Sequence, residues 1–330
     1  MNRVETPGVA EVSGGLRDGA GPTLVQLRAL VAVADTLHFG DAAALIGHSQ
    51  SSVSAAVSAL ERTLGADLVE RTTRRVLLTA TGAQVVERAR EVLRQVDDLA
   101  HVAAQGRHPL TGPLRLGVIP SIAPYLLPAI VGGLGRRQPD LALDVTEEQT
   151  ARLLVMLGRG HLDVVVLATD EDPRAVVEQP LYREDFVLAV PADSPLAGTA
   201  DVDRALLPGL DLMLLAEGHC LRDQVLDLCP GAGRAGHGAH ATSLATLSQL
   251  VGHGFGATLL PATSVAMHAA QAGAASPGLG VATLAAPVPG RTVRLAHRAG
   301  AARSEAFAQL AALLRDCIGE SGLPVEVLPA

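Results

Sequence analysis

Three short helical runs cut by glycine stops, followed at once by a basic hairpin and a heptad-spaced helix, constrain this chain more than any other feature. Thr23 and Gln26 make a capping-box pair ahead of Leu24, Leu27, Val31 and Ala34, so a first helix is expected to about Leu37. Gly40 reads as the N-cap of a second, alanine-rich helix over 41–46 that Gly47 closes. Ser49 caps a third, in which Val53, Val57, Leu60 and Leu64 face inward and Gly65 is the stop. Segments 67–70 and 76–79 read as strands joined by Arg71, Thr72, Thr73, Arg74 and Arg75. The pattern is a winged helix-turn-helix.

Such a motif reads duplex DNA by laying its last helix in the major groove. Ser49, Gln50, Ser51, Ser52 and Ser54 crowd the first turn of that helix. The Gln50 amide suits bidentate pairing with adenine, and the serine hydroxyls suit bases or phosphate. The plainer reading is a serine-rich cap on a core helix. The chain has no Lys and no Trp, so Arg supplies the phosphate contacts and aromatic base stacking is scarcely available, which fits duplex rather than single strands. A net charge of -8 works against nucleic-acid binding as a whole. Even the segment from Thr23 to Arg90 holds seven Arg against six acidic residues, so one reader attracts phosphate weakly. Val85, Ala89, Val92, Val96, Leu99 and Ala103 then alternate four and three apart, the spacing of a coiled coil that would pair two readers.

The expected division is a disordered lead over 1–22, the helix-turn-helix over 23–80, a dimerising linker helix over 81–107, one α/β lobe from 112–184 with 289–320, and a second from 185–288. Strand-helix alternation from Leu114 onward predicts a mainly parallel sheet, with strands at 114–119, 141–146, 163–168, 186–190, 211–215, 257–260 and 292–297. No uninterrupted apolar run reaches membrane-spanning length and no signal peptide is recognisable, which points to a cytoplasmic protein without a membrane partner.

The stretch LRALVAVADTLHFGDAAALIGHSQSSVSAAVSALERTLGADLVERTTRRVLLTATG resembles the LysR-type transcription regulators. The resemblance implies a winged helix-turn-helix, a linker helix and a two-lobed effector domain like periplasmic binding proteins, running from about Leu24 to Ile318. It also implies a dimer and beyond it a tetramer, an operator in double-stranded DNA, and RNA polymerase as a partner, with no cofactor. The family usually carries Pro where Ser51 stands; Pro pre-sets the helical φ, so Ser51 gives up some rigidity.

Three cysteines in a reducing compartment are more often reactive or buried than structural staples. Cys220 and Cys229 flank LRDQVLDL, a helical pattern. If it is helical, their Cα atoms stand about 13 Å apart, against roughly 4.4 to 6.8 Å for a disulfide. His219 and Arg222, with a helix N-terminus, would favour a Cys220 thiolate. Two buried core thiols are the competing reading. LGVIPSIAPYLLP, EEQT, EGHCLRDQVLDLC, ATSLATL and GATLLPA are similar to the peroxide-sensing branch of the LysR family. That similarity implies hydrogen peroxide as effector, sulfenic acid at Cys220, a disulfide to Cys229, and a pocket of Ser121, Thr150, His219, Arg222 and Gln224. Ser121 replaces a threonine, keeping the hydroxyl. Cys317 reads as structural, and His237 and His240 as loop residues without matched metal-ligand spacing. Three readings compete with a peroxide switch: a regulator whose effector is a small metabolite between the lobes, a thiol peroxidase, and a solute-binding protein.

Overall fold

In the computed structural model the described residues are 21–71, 76–104, 110–230, 232, 241–266 and 278–329. The lead, Thr72 to Arg75 of the wing, and the two loop histidines lie outside them. The chain forms two compact units, one up to Leu99 and one from Ala100.

The first unit packs α1 (Leu24–Thr36), α2 (Phe39–Ile46) and α3 (Gln50–Leu64) around Leu30, Val33, Ala42, Val53, Val57 and Leu60, followed by the antiparallel pair β1 (Val69–Arg71) and β2 (Val76–Leu78). Thr23 and Gln26 make both bonds of the capping box. The second helix begins earlier than the glycine suggested: His38 is its N-cap, its Nδ1 accepting from the Asp41 amide at 3.3 Å, because an imidazole nitrogen serves as a cap acceptor. Leu37, at φ 53°, makes the left-handed turn between the two helices. The long α4 (Ala80–Ala104) opens at Gly82, where any Cβ would stand 2.0 Å from the Leu68 carbonyl oxygen. Its first turns belong to this core: Val86 and Ala89 are buried, and Arg90 is buried against Asp35 and Glu87. Two of the heptad positions further on, Val92 and Leu99, stand 42% and 66% exposed.

The second unit has two cores on one continuous sheet. Strands run β3 (Gly112–Val118), β4 (Leu141–Glu147), β5 (Val164–Leu167), β6 (Val176–Pro191), β7 (Thr258–Pro261), β8 (Leu279–Ala282), β9 (Gly290–Arg298) and β10 (Glu326–Val327). Helices are α5 (Ala123–Arg137), α6 (Thr150–Gly158), α7 (Cys220–Leu228), α8 (Leu244–Gly252) and α9 (Ser304–Glu320). The path β10-β6-β9-β5-β3-β4 is mixed and mostly antiparallel: only β3 pairs in parallel, with β4 and β5. That corrects the mainly parallel expectation, because β9 and β6 return antiparallel through the middle of the sheet. Segment 211–215 is not a strand either; its backbone pairs through the isolated bridges Leu212 to Ala257 and Leu215 to Ala241.

β6 is twice the length of an ordinary strand because it serves both lobes. Up to Asp185 it pairs with β9 over the first core, and from Phe186 it pairs with β7 and β8 over the second. At the crossover Glu184 stands directly opposite Arg291. The adjoining Gly290 tolerates no side chain, since a Cβ would fall 2.3 Å from the Glu184 carbonyl oxygen.

Candidate functional site

At the recognition end of the first unit, Ser49 caps α3 by accepting from the Ser52 amide at 3.2 Å, and its hydroxyl also lies 3.0 Å from that of Ser51 and 2.8 Å from that of Ser52. Gln50, Ser51 and Ser52 are exposed, while Ser54 is half-buried. Ser49 therefore does cap the helix, and Gln50 is left on the surface beside it. The N-terminal turn carries no acidic side chain, so the positive end of the helix dipole is open to phosphate. Arg71 belongs to β1.

In the second unit three helix N-termini meet. Ser121 lies in the turn between β3 and α5, Thr150 is the first residue of α6, and Cys220 is the first residue of α7, with His219 as N-cap. A recess lined by Ile119 to Ser121, Gln149, Thr150 and Gly218 to Cys220 joins them; it encloses about 160 Å³ of empty space, none wide enough for a water molecule. The Cys220 residue is only 8% exposed. Burial pushes its thiol above the ordinary range, opposed by the Arg291 charge, by the Thr150 and Ser121 hydroxyls and by the Leu221 amide.

Arg291 was invisible to sequence reasoning, yet it organises this site. Its Nε donates to Glu184 Oε1 at 2.8 Å, its Nη1 to Ser121 Oγ at 2.8 Å and its Nη2 to the Ser121 carbonyl at 2.9 Å. Thr263 completes the chain by donating to Glu184 Oε2 at 2.6 Å. Because Ser121 Oγ accepts from the guanidinium, its own hydrogen is left to donate into the recess. Thr150 Oγ1 is buried without a hydrogen-bond partner in good geometry, though near enough to favour the ionised thiol.

The other expected residues divide. Burial pushes His219 below the ordinary imidazole range, so it is neutral near pH 7 and supplies no charge to the thiol. Arg222 turns back to donate to the Leu215 carbonyl at 3.0 Å. The positive charge expected from those two neighbours comes instead from β9. Gln224 donates to the Ala168 carbonyl at the end of β5, at 2.7 Å, tying α7 to the first lobe while its Oε1 stays buried and unpartnered.

Cys229 is the C-cap of α7, and both thiols are free and buried. Cys220 packs in the core of the first lobe, Cys229 in that of the second. Cys317 sits in the first core as well, its Sγ accepting from Arg137 Nη1 at 2.9 Å. Among the described residues no helix is long and apolar enough to cross a membrane, and no three His, Cys, Asp or Glu gather as metal ligands would.

Two family models match the chain: Bacterial regulatory helix-turn-helix protein, lysR family, over residues 24–83, and LysR substrate binding domain over 107–317. A probable hydrogen peroxide-inducible genes activator of Streptomyces viridosporus is 49% identical over 309 residues, 93% of this chain and 97% of the relative. The Escherichia coli DNA-binding transcriptional dual regulator OxyR is 40% identical over 291 residues, 88% and 93% of the two chains. Among solved structures, a full-length OxyR variant from Pseudomonas aeruginosa is 36% identical with a TM-score of 0.72, covering 89% of this chain and 98% of its own. A hydrogen peroxide-bound mutant of Corynebacterium glutamicum OxyR is 37% identical with a TM-score of 0.62, covering 91% and 94%. The chain belongs to the LysR family of bacterial transcription regulators, among the hydrogen peroxide-inducible genes activators.

Proposed function

We propose that this regulator senses hydrogen peroxide at Cys220 in the bacterial cytoplasm and converts its oxidation, through a disulfide with Cys229, into altered contacts with an operator. The observation that carries the reading is the placement of the two thiols at opposite ends of one nine-residue helix and in two different cores. With about 1.5 Å of rise per residue, α7 holds them far outside disulfide range. Forming the bond therefore means unwinding α7 and drawing one thiol out of its core.

The Cys220 thiolate attacks one peroxide oxygen; an S–O bond forms, the O–O bond breaks and the second oxygen departs as hydroxide, taking a proton to become water. Ser121, whose hydroxyl is fixed by Arg291, and the unpartnered Thr150 hydroxyl hold the oxygen pair, and the guanidinium steadies the departing charge. Cys229 then attacks the sulfenic sulfur, the S–S bond forms, and a second water leaves. Gln224 loses its grip on the first lobe as α7 unwinds. His219 and Arg222, at the start of the same helix, move with it.

The DNA contacts fall to Ser49, Gln50, Ser51, Ser52, Ser54 and the basic wing Arg71 to Arg75. Weak single readers require pairing, and the exposed Val92 and Leu99 of α4 suit a second copy; a tetramer and contact with RNA polymerase follow from the family. In this reading the lobes change the spacing of the readers rather than the readers themselves.

The test is peptide mass mapping of Cys220 and Cys229 before and after mild peroxide, alongside operator footprinting. The expected result is a Cys220 to Cys229 link that appears together with a changed footprint. A changed footprint with both thiols still free would overturn the reading. Because burial raises the thiol above its ordinary value of ~8.5, the oxidation rate is also expected to climb about tenfold per pH unit from about pH 6 to 8. Stopped-flow rates that level off below pH 7 would show an acidic thiol instead.

A further inference from the structure

We propose that Gln149, lying across Gly218, is the door to Cys220 and sets the size of hydroperoxide that the site admits. The inference rests on the peroxide-sensing reading. The thiol is enclosed, and nothing the size of water fits in front of it, so a peroxide reaches it only if a lining residue moves. Most of that lining is firmly held. Ser121 is bonded twice to the buried Arg291, Thr150 starts α6, and the His219 ring is buried.

Gln149 differs. Its Nε2 makes one long, solvent-exposed bond, 3.3 Å, to the Glu217 carbonyl on the opposite lobe. Although it occupies the N-cap position of α6, its side chain caps nothing, so it is free to leave without disturbing the helix. The residue is half-buried, but that one bond is open to solvent, so a change of rotamer breaks no buried hydrogen bond.

Gly218 explains how the door closes so flat. It has φ +89°, and a Cβ built on it would fall 2.4 Å from Gln149 Oε1. Only a residue without a side chain lets the carboxamide lie down over the loop that leads into α7. Swinging Gln149 aside opens a slot suited to a molecule of two oxygens. A branched alkyl group behind the attacked oxygen would meet the carboxamide. For such a hydroperoxide the chemistry is unchanged: the thiolate takes one oxygen, the O–O bond breaks, and an alkoxide leaves to be protonated as the alcohol.

The experiment uses the full reduced chain. Loss of the free Cys220 thiol is followed by quenching and site-resolved mass spectrometry, with hydrogen peroxide, with tert-butyl hydroperoxide, and with iodoacetamide in the absence of oxidant. In Gln149→Ala the rate ratio of tert-butyl hydroperoxide to hydrogen peroxide is expected to rise about tenfold or more, with a comparable rise in Cys220 alkylation. Gln149→Met, of similar length, is expected to hold the parent ratio within about threefold. An unchanged ratio in the alanine variant, or an equal rise in the methionine variant, would overturn the assignment. So would equal acceleration of alkylation at the buried Cys229 and Cys317, which would mean general loosening. If Cys220 of the parent ignores hydrogen peroxide, the sensing reading fails, while the alkylation arm still judges the door.

Discussion

A Cys220→Ser chain is expected to bind its operator as the reduced parent does and to lose the whole of its peroxide-dependent change in footprint. A hydroxyl in place of the thiol keeps nearly the same volume in the first core, so the fold and the resting DNA contacts persist. A serine hydroxyl, unlike a thiolate, is no useful nucleophile toward peroxide at neutral pH. With no sulfenic acid there is no partner for Cys229, and α7 stays wound. Cys229→Ser should separate the steps: Cys220 still oxidises and stops at sulfenic acid, which a dimedone probe captures. A Cys220→Ser chain whose footprint still shifted with peroxide would place the sensor elsewhere, with Cys229 and Cys317 the remaining thiols.

Replacing Arg291 by Met should have the largest effect on stability. The guanidinium and the Glu184 carboxylate are 1% and 0% exposed, so removing one strands the other without solvent. Breaking a buried pair in this way costs about 3–5 kcal/mol. The double replacement Arg291→Met with Glu184→Leu removes both charges and should recover a large part of that loss. Urea unfolding of the reduced chain checks both; a loss under about 1 kcal/mol in the single variant would mean that Glu184 finds another partner or takes up a proton. The same change takes from Cys220 the Arg291 charge that opposes its burial, so its peroxide reaction should slow as well. Its effect therefore reaches the thiol, the Ser121 hydroxyl and the lobe crossover together.

How much of this was legible follows from what local sequence carries. The capping box at Thr23, the glycine stops at Gly47 and Gly65 and the cap at Ser49 are short-range devices, and each appears where the residues placed it. His38 as a cap was missed because imidazole is an uncommon N-cap. The antiparallel centre of the second unit was missed because apolar runs report burial on both faces but not strand direction. Strand 176–185 was overlooked for a different reason, its alternation being interrupted by Pro180, where the pairing register shifts.

The sequence by itself determined the helix-turn-helix, the heptad helix, and a cysteine pair at the two ends of a helical run, since each is written in spacings of a few residues. Only the tertiary structure decided what surrounds the thiol. Arg291 reaches Cys220 from β9, Glu184 stands behind it across the strand crossover, and Gln149 closes over Gly218 from the other lobe. These contacts join residues about 70 to 170 positions apart in the chain, and pairing of that kind is set by sheet register and lobe packing, neither of which leaves a local mark.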